Sequence, residues 1–163
     1  MRRPEDTMRI ICVLCVTLVQ LLALGGASSN GDDDAIRAVV DRLTEAWNRH
    51  DAHAFAAVFA EDADFTNVIG LGASGRDKIE AFHAPMFSSF FKNSHLTHQD
   101  IKVRLIRPDI SAVDVRWQMT GATDPQGNPW PNRKGLINFV AVKEKGVWQI
   151  LVLHNTELTD EDK

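Results

Sequence analysis

The sequence predicts an α+β domain in which three helices pack on an antiparallel sheet. Apolar residues recur at helical spacing through the first half of the chain, and period-two alternation between turn signals dominates the second half. Helices followed by strands are typical of α+β domains, with the helices on one face of the sheet. The 163 residues, 44% of them hydrophobic and 25% charged, suffice for one such domain and not for two.

The N-terminus has the pattern of a secretory signal peptide. Met8-Arg9 precedes an apolar run from Ile10 to Leu24, and small residues follow at 25–29. This run is shorter than the ~20 residues of a membrane span. We expect cleavage after Ala27, so that 1–27 is the signal and 28–163 the mature domain, secreted or periplasmic, with no stable membrane anchor after cleavage. An uncleaved anchor is the alternative.

The mature domain is predicted to begin with a long amphipathic helix and a second, short one. The periodic apolar positions predict a helix from Asp33 to about Arg49, with an N-cap and favourable first-turn charge within Asp32–Asp34. Asp51 is placed to cap a second helix from Ala52 to Ala60.

After the second helix the period changes to two, which predicts a strand through Phe65, Asn67 and Ile69. Glycines at 70, 72 and 75 indicate the turn that ends it. A third helix is expected over Arg76–Lys92, but Pro85 lies in its middle and should kink or split it.

The remaining chain predicts a meander of long strands, because turn signals such as Arg107-Pro108-Asp109 separate segments with period-two alternation. The predicted strands are His95–Ile106, Ile110–Gly121, Asn132–Val142 and Val147–Glu157.

Three segments of this chain resemble a known superfamily. They are WNRHDAHAFAAVFAEDADF (Trp47–Phe65), the helix entry at Gly75-Arg76, and GVWQILVLHNTEL (Gly146–Leu158). The chain is similar over 33–158 to the nuclear-transport-factor-two-like superfamily, with its SnoaL-like polyketide cyclases and steroid delta-isomerases, and most to the SgcJ/EcaC type. The resemblance implies a cystatin-like cone, in which a curved sheet surrounds an apolar cavity. It indicates fold rather than chemistry.

The resemblance also places the groups that steroid isomerases use. Their Asp base falls on Asn67, their Tyr on Leu43 and their neutral Asp on Asn138, and none of the three matches. An amide does not abstract a carbon-bound proton at neutral pH, and the chain contains no Tyr to act as an oxyanion donor. Steroid-type isomerisation is therefore not expected.

His154 is the candidate catalytic residue. Simple alternation places it on the same face of the last strand as Trp148, Ile150 and Val152, an apolar row. If that row lines the cavity, the imidazole is a candidate acid or base at working pH. The alternative is a structural histidine held by a backbone carbonyl or an Asp.

Candidate ligand-binding residues share either an amide or a large apolar side chain. Asn67 and Asn138 suit recognition of a carbonyl or hydroxyl group, and the alternative for each is that its side chain only satisfies nearby backbone groups. Apolar walls are expected from Trp47, Phe65, Trp117 and Met119. Trp130, between two prolines in a loop, is expected to cap the pocket mouth or lie in a dimer interface.

Several partners are not expected. The net charge is −4 and Lys and Arg do not cluster, which argues against nucleic acid. His95 and His98 point to opposite faces of a strand, so no metal site is predicted, and neither a phosphate loop nor a dinucleotide fingerprint indicates a cofactor.

Three functions stay open: an exported protein that binds a small apolar or aromatic ligand, a cofactor-free cyclase, isomerase or dehydratase using His154, and an association module without catalysis. A homodimer is expected because alternation places Leu151 and Leu153 on the water-facing side of the sheet.

Overall fold

The computed structural model describes residues 31–159. The chain divides into an N-terminal unit, Met1–Ala35, and a compact unit, Ile36–Lys163. The described part of the first unit, 31–35, belongs to the first helix. The predicted signal peptide at 1–27 lies outside the described residues and stays a prediction. Within residues 31–159 no helix combines the length and the apolar character that crossing a bilayer requires.

The helices are α1 (31–48), α2 (Ala52–Ala57) and α3 (Arg76–Phe87). The Asp51 carboxylate accepts the Ala54 N–H at 2.9 Å, which confirms the predicted cap of α2. Residues 32–34 lie within α1 rather than at its N-cap. Within residues 31–159, two helices, α1 and α2, precede the sheet and α3 follows the second strand, so the expectation of three N-terminal helices holds for two.

Pro85 neither splits nor ends α3 at its own position. The helix includes it and ends two residues later at Phe87, short of the predicted Lys92. The hydroxyls of Ser88 and Ser89 donate to the carbonyl of Pro85 at 3.0 and 2.6 Å, which satisfies a carbonyl at the helix end.

In the described part of the chain, six strands form one sheet with the order β2-β1-β6-β5-β4-β3. The four long strands predicted from the sequence are confirmed, with bounds shifted by at most two residues. The strands are β1 (Phe59–Thr66), β2 (Gly72–Ser74), β3 (His95–Arg107), β4 (Ile110–Thr120), β5 (Arg133–Glu144) and β6 (Val147–Glu157).

The sheet is mixed rather than purely antiparallel, which corrects the prediction. β1 runs parallel to β6, with Phe65 opposite Leu153, whereas all other pairs are antiparallel. Parallel neighbours need a crossover, and here the connection is all of the chain between the two strands. Alternation within one strand contains no information about which distant strand lies beside it, so this pairing was not visible in the sequence.

We call the side of the sheet that packs on the helices the inner face and the opposite side the outer face. Residues of α1, α2, α3 and the inner face form one hydrophobic core. The β4 residues Val113, Val115, Trp117 and Met119 alternate into this core as predicted.

A β-bulge in β6 reverses which residues reach the core. Ala141 pairs with Ile150 and Val140 with Val152, so Leu151 is an extra residue. Before the bulge, Ile150 is buried; after it, Leu153 is buried, with 1% of its surface exposed. Placing Leu153 on the water-facing side was therefore wrong, and the original reason for expecting a dimer does not hold.

Candidate ligand-binding site

The inner face and the helices enclose two adjoining chambers that share Trp47, Phe65, Trp117, Met119 and Asn155. The mouth chamber has a volume of about 80 Å³ and the deep chamber about 40 Å³. Further residues of the mouth chamber are Asn67, Val68, Phe82, His83, Met86, Phe91 and Arg133. Those of the deep chamber are Leu43, Phe55, Leu96, Ile137 and Leu153.

Five of the predicted ligand-binding residues line these chambers: Trp47, Phe65, Asn67, Trp117 and Met119. They come from α1, β1, the turn after β1, and β4, all on the core side. Their role in ligand binding stays a prediction, which the titrations proposed below test.

Trp117 and Asn155 form the polar wall of the cavity. The buried Trp117 indole N–H donates to the Asn155 side-chain oxygen at 2.8 Å. The indole lies over Gly135, where a Cβ would come within 2.2 Å of the Trp117 ring. Only glycine leaves room for it there. Because the Asn155 oxygen is used, its amide N–H₂ is the group available to a ligand acceptor.

Asn67 follows β1 and organises the turn before β2. Its side-chain oxygen accepts the N–H groups of Ile69 at 3.0 Å and Leu71 at 2.9 Å. As with Asn155, the oxygen is engaged and the amide N–H₂ remains as a donor.

His83 is the buried titratable group of the site, with 1% of its surface exposed. It lies on α3 among aromatic rings, with centroid distances of 4.3 Å to Phe55 and 4.6 Å to Phe65. Burial lowers its pKa to about 4, while the hydrogen bond of Nδ1 to the Ile79 carbonyl at 2.8 Å acts in the opposite direction. The imidazole is therefore neutral at pH 7, with its proton on Nδ1 and Nε2 as acceptor.

The sequence analysis missed His83 and Asn155. His83 lies four residues after Ile79 and four before Phe87, so helical spacing was a signal for its burial. Asn155 had no such signal, because only the bulge at Leu151 turns it inward.

The structure contradicts the predicted positions of His154 and Asn138. The bulge turns His154 to the outer face, where it is exposed and pairs with Asn138 across β5 and β6. Asn138 in turn donates to the Asp114 carboxylate at 2.7 Å. Neither side chain lines the cavity, so neither contacts a ligand bound there.

Trp130 lies at the cavity mouth and lines neither chamber. Its ring packs against Phe91 at a centroid distance of 6.5 Å and beneath the Arg133 guanidinium at 4.9 Å. Phe91 and Arg133 do line the mouth chamber. The loop tryptophan therefore supports the rim of the cavity, which is compatible with the predicted cap.

No group of three or more metal-ligating side chains occurs within residues 31–159. His98 hydrogen bonds Thr44 at 3.0 Å and approaches Asp41 at 3.2 Å, so it joins β3 to α1. The chemistry that the cavity offers is hydrogen bonding within an aromatic enclosure, with one neutral imidazole and the Arg133 guanidinium at the mouth.

Comparison with known proteins agrees with this geometry. An uncharacterised protein with a cystatin-like fold from Caulobacter vibrioides is 29% identical, with a TM-score of 0.73, over 79% of this chain and 91% of that one. A domain of unknown function with a cystatin-like fold from Nostoc punctiforme is 33% identical, with a TM-score of 0.70, over 80% of each chain. No protein of curated function matches the sequence.

A putative scytalone dehydratase from Novosphingobium aromaticivorans shares the fold, with a TM-score of 0.70 at 17% identity, over 82% of this chain and 88% of that one. The sequence profile described as "SnoaL-like domain" matches residues 40–148, which include most of the cavity-lining residues, while Leu153 and Asn155 on β6 lie beyond the matched range. Family match and architecture agree, and the chain belongs to the SnoaL-like domain family.

Proposed function

We propose that this protein binds a small, neutral, ring-sized molecule with one carbonyl or hydroxyl oxygen. The observation that carries the proposal is the aromatic enclosure around His83, which combines apolar walls with neutral polar groups and one cation, Arg133, whose charge is balanced by Glu157. With residues 1–27 proposed as an export signal, binding would occur outside the cytoplasm.

The volume of the cavity limits the ligand. The mouth chamber, about 80 Å³, and the deep chamber, about 40 Å³, adjoin each other. A dry apolar cavity of ~150 Å³ accepts benzene. A six-membered ring therefore fits with small adjustments, and a fused multi-ring molecule does not.

The polar groups limit it further. The amides of Asn67 and Asn155, which both line the mouth chamber, supply donors, and Nε2 of His83 is an acceptor. A carbonyl oxygen on a ligand can accept from these donors, and a hydroxyl group can both accept from them and donate to Nε2 of His83. A ligand that leaves one of these protein donors or the acceptor buried without a partner binds at a cost of ~1–3 kcal/mol, so ligands with a matching oxygen are favoured over plain hydrocarbons.

Tryptophan fluorescence tests the proposal, since Trp47 and Trp117 line both chambers. Titration with phenol, cyclohexanone and benzene is expected to show saturable binding, weakest for benzene. Met86→Trp fills the mouth chamber and should abolish binding, whereas Ile106→Trp, at an exposed position of β3, should not. Equal binding by both variants would reject the cavity as the site.

A second candidate is cofactor-free acid–base catalysis with His83, in place of His154, as the base. The supporting observation is a neutral imidazole in the cavity wall. A pKa of about 4 makes it a weak base, which favours binding over turnover. If it is catalytic, His83→Ala abolishes turnover of a bound ketone while retaining affinity, and activity falls only as the pH approaches 4.

We also propose that the outer face associates with a second copy of the chain. One row across this face runs from Arg104 through Ala112, Val140 and Val152 to Asp64, with charge at the ends and partly buried apolar groups between. A two-fold axis along β5 brings Arg104 opposite Asp64 of the partner subunit.

Light scattering tests this association by a charge exchange. Asp64→Arg is expected to give a monomer, because two cations then face each other at each end of the row. Adding Arg104→Asp should restore the dimer. A wild-type monomer at micromolar concentration would rule out the association.

A further inference from the structure

Arg133 is the charged side chain of the cavity. It lines the mouth chamber and also an outer groove with Ile69, Trp130, Asn132 and Glu157. The other lining residues of the two chambers within residues 31–159 carry no formal charge at pH 7. The side chain is only 14% exposed, so Arg133 stands where the cavity meets solvent.

Glu157 holds this guanidinium in a fork. Arg133 donates from Nε to Oε1 at 2.6 Å and from Nη2 to Oε2 at 2.8 Å. The Trp130 ring, 4.9 Å from the guanidinium carbon, supports one face of the group. The fork uses two of the five N–H groups, which leaves the Nη1 edge outside it.

The ion pair between Arg133 and Glu157 determines whether an anionic or a neutral ligand group can bind beside it. A carboxylate that approaches Nη1 lies close to Glu157 in a partly buried site, where repulsion between like charges is poorly screened. A neutral carbonyl accepts the same N–H without this repulsion. The pair thus offers hydrogen bonds while its net charge is zero.

We propose that Glu157 determines ligand specificity: as the counter-ion of Arg133 it excludes carboxylates from the cavity and admits neutral carbonyl compounds. The inference rests on the proposed function and narrows it to neutral ring compounds with a carbonyl oxygen at the mouth. Without Glu157, Arg133 would select an anion, since a guanidinium prefers carboxylates.

The test uses benzamide and benzoate, which have the same shape and differ in charge. The wild type is expected to bind benzamide more tightly. Glu157→Gln should raise the ratio of benzoate to benzamide affinity by about tenfold or more, since a freed charge-assisted pair is worth at least ~1.4 kcal/mol. Glu144→Gln, at the exposed end of β5, makes the same change in net charge and should leave the ratio unchanged.

Arg133→Gln in the Glu157→Gln background should cancel the gain, and this double variant identifies Arg133 as the anchor. If benzamide binds the wild type and Glu157→Gln leaves the ratio unchanged, the specificity role is overturned and the proposed function stands. If the wild type binds neither, the proposed function fails, and only a new benzoate affinity in Glu157→Gln would support the role of Glu157.

Discussion

The two parts of β6 differ in which alternate residues they bury. In Val147–Ile150 the even-numbered residues face the core, whereas in Val152–Glu157 the odd-numbered ones do. The extra residue Leu151 causes the change. One inserted residue therefore determines that Asn155 faces the cavity and His154 faces outward.

Replacement of Leu153 is the most severe way to break this comparison. Leu153 is buried after the bulge, with 1% of its surface exposed, whereas the bulge residue Leu151 is half-buried. Leu153→Asn removes a buried apolar side chain and places an amide in the core, which should cost ~4 kcal/mol or more, and Leu151→Asn should cost less. Urea unfolding of the two variants measures the difference. Equal stability of the two would contradict the assignment of Leu153 to the core.

A smaller effect on the free energy of unfolding is expected from lowering the pH, because the cavity histidine His83 is buried in its neutral form. The pKa of His83 falls from 6.5 to about 4 on folding, so the unfolded chain binds its proton more readily. This contribution is complete above pH ~6.5 and is lost as the pH falls toward 4, by about 3 kcal/mol.

Unfolding by urea at pH 7.5 and pH 4 checks this sign. His83→Leu should lose less stability than the wild type over this range, by about 3 kcal/mol. A His83→Leu protein with the wild-type dependence would contradict the burial of a neutral imidazole.

Asn155 provides a third test, because it is inward only after the bulge. Asn155→Leu leaves the buried Trp117 N–H without its acceptor and should destabilise the fold by ~1–3 kcal/mol. The same change at the outward Asn138 removes only its exposed hydrogen bond to the Asp114 carboxylate and should cost only ~0.5 kcal/mol. Thermal unfolding of the two variants compares the faces directly.

The smallest effect is expected at His154. Its truncation to Ala should change stability by no more than ~0.5 kcal/mol, since the side chain is exposed, and should leave the phenol affinity at the wild-type value. A clear loss of affinity in the titration would mean that the outer face contributes to ligand binding after all.

Strand bounds were predictable because turns are encoded locally. Arg107-Pro108-Asp109 and Glu144-Lys145-Gly146 contain the residues that turns require, and the strands beside them have nearly the predicted bounds. The inward positions of Trp117 and Met119 followed from clean alternation in β4. A strand with one polar face can therefore be assigned from sequence alone.

The bulge was not predictable, because Ile150–Leu153 is apolar at every position and either parity fits it. The parallel pairing of β1 with β6 also lacks a local signal, since it depends on distant chain segments. The bulge and the parallel pairing both involve β6. The wrong placement of His154 in the cavity follows from the ambiguous alternation of this strand.

The parallel pair also determines when the cavity can form during folding. Phe65 on β1 and Asn155 on β6 line the same cavity although most of the domain lies between them in the sequence. The N–H of Ile150 on β6 donates to the carbonyl of Val58, just before β1, at 3.0 Å, so the two segments are also joined directly. Such long closures have a high entropic cost and form slowly. A growing chain therefore has no complete cavity until its last strand has been synthesised, and a fragment that ends before β6 lacks a cavity wall.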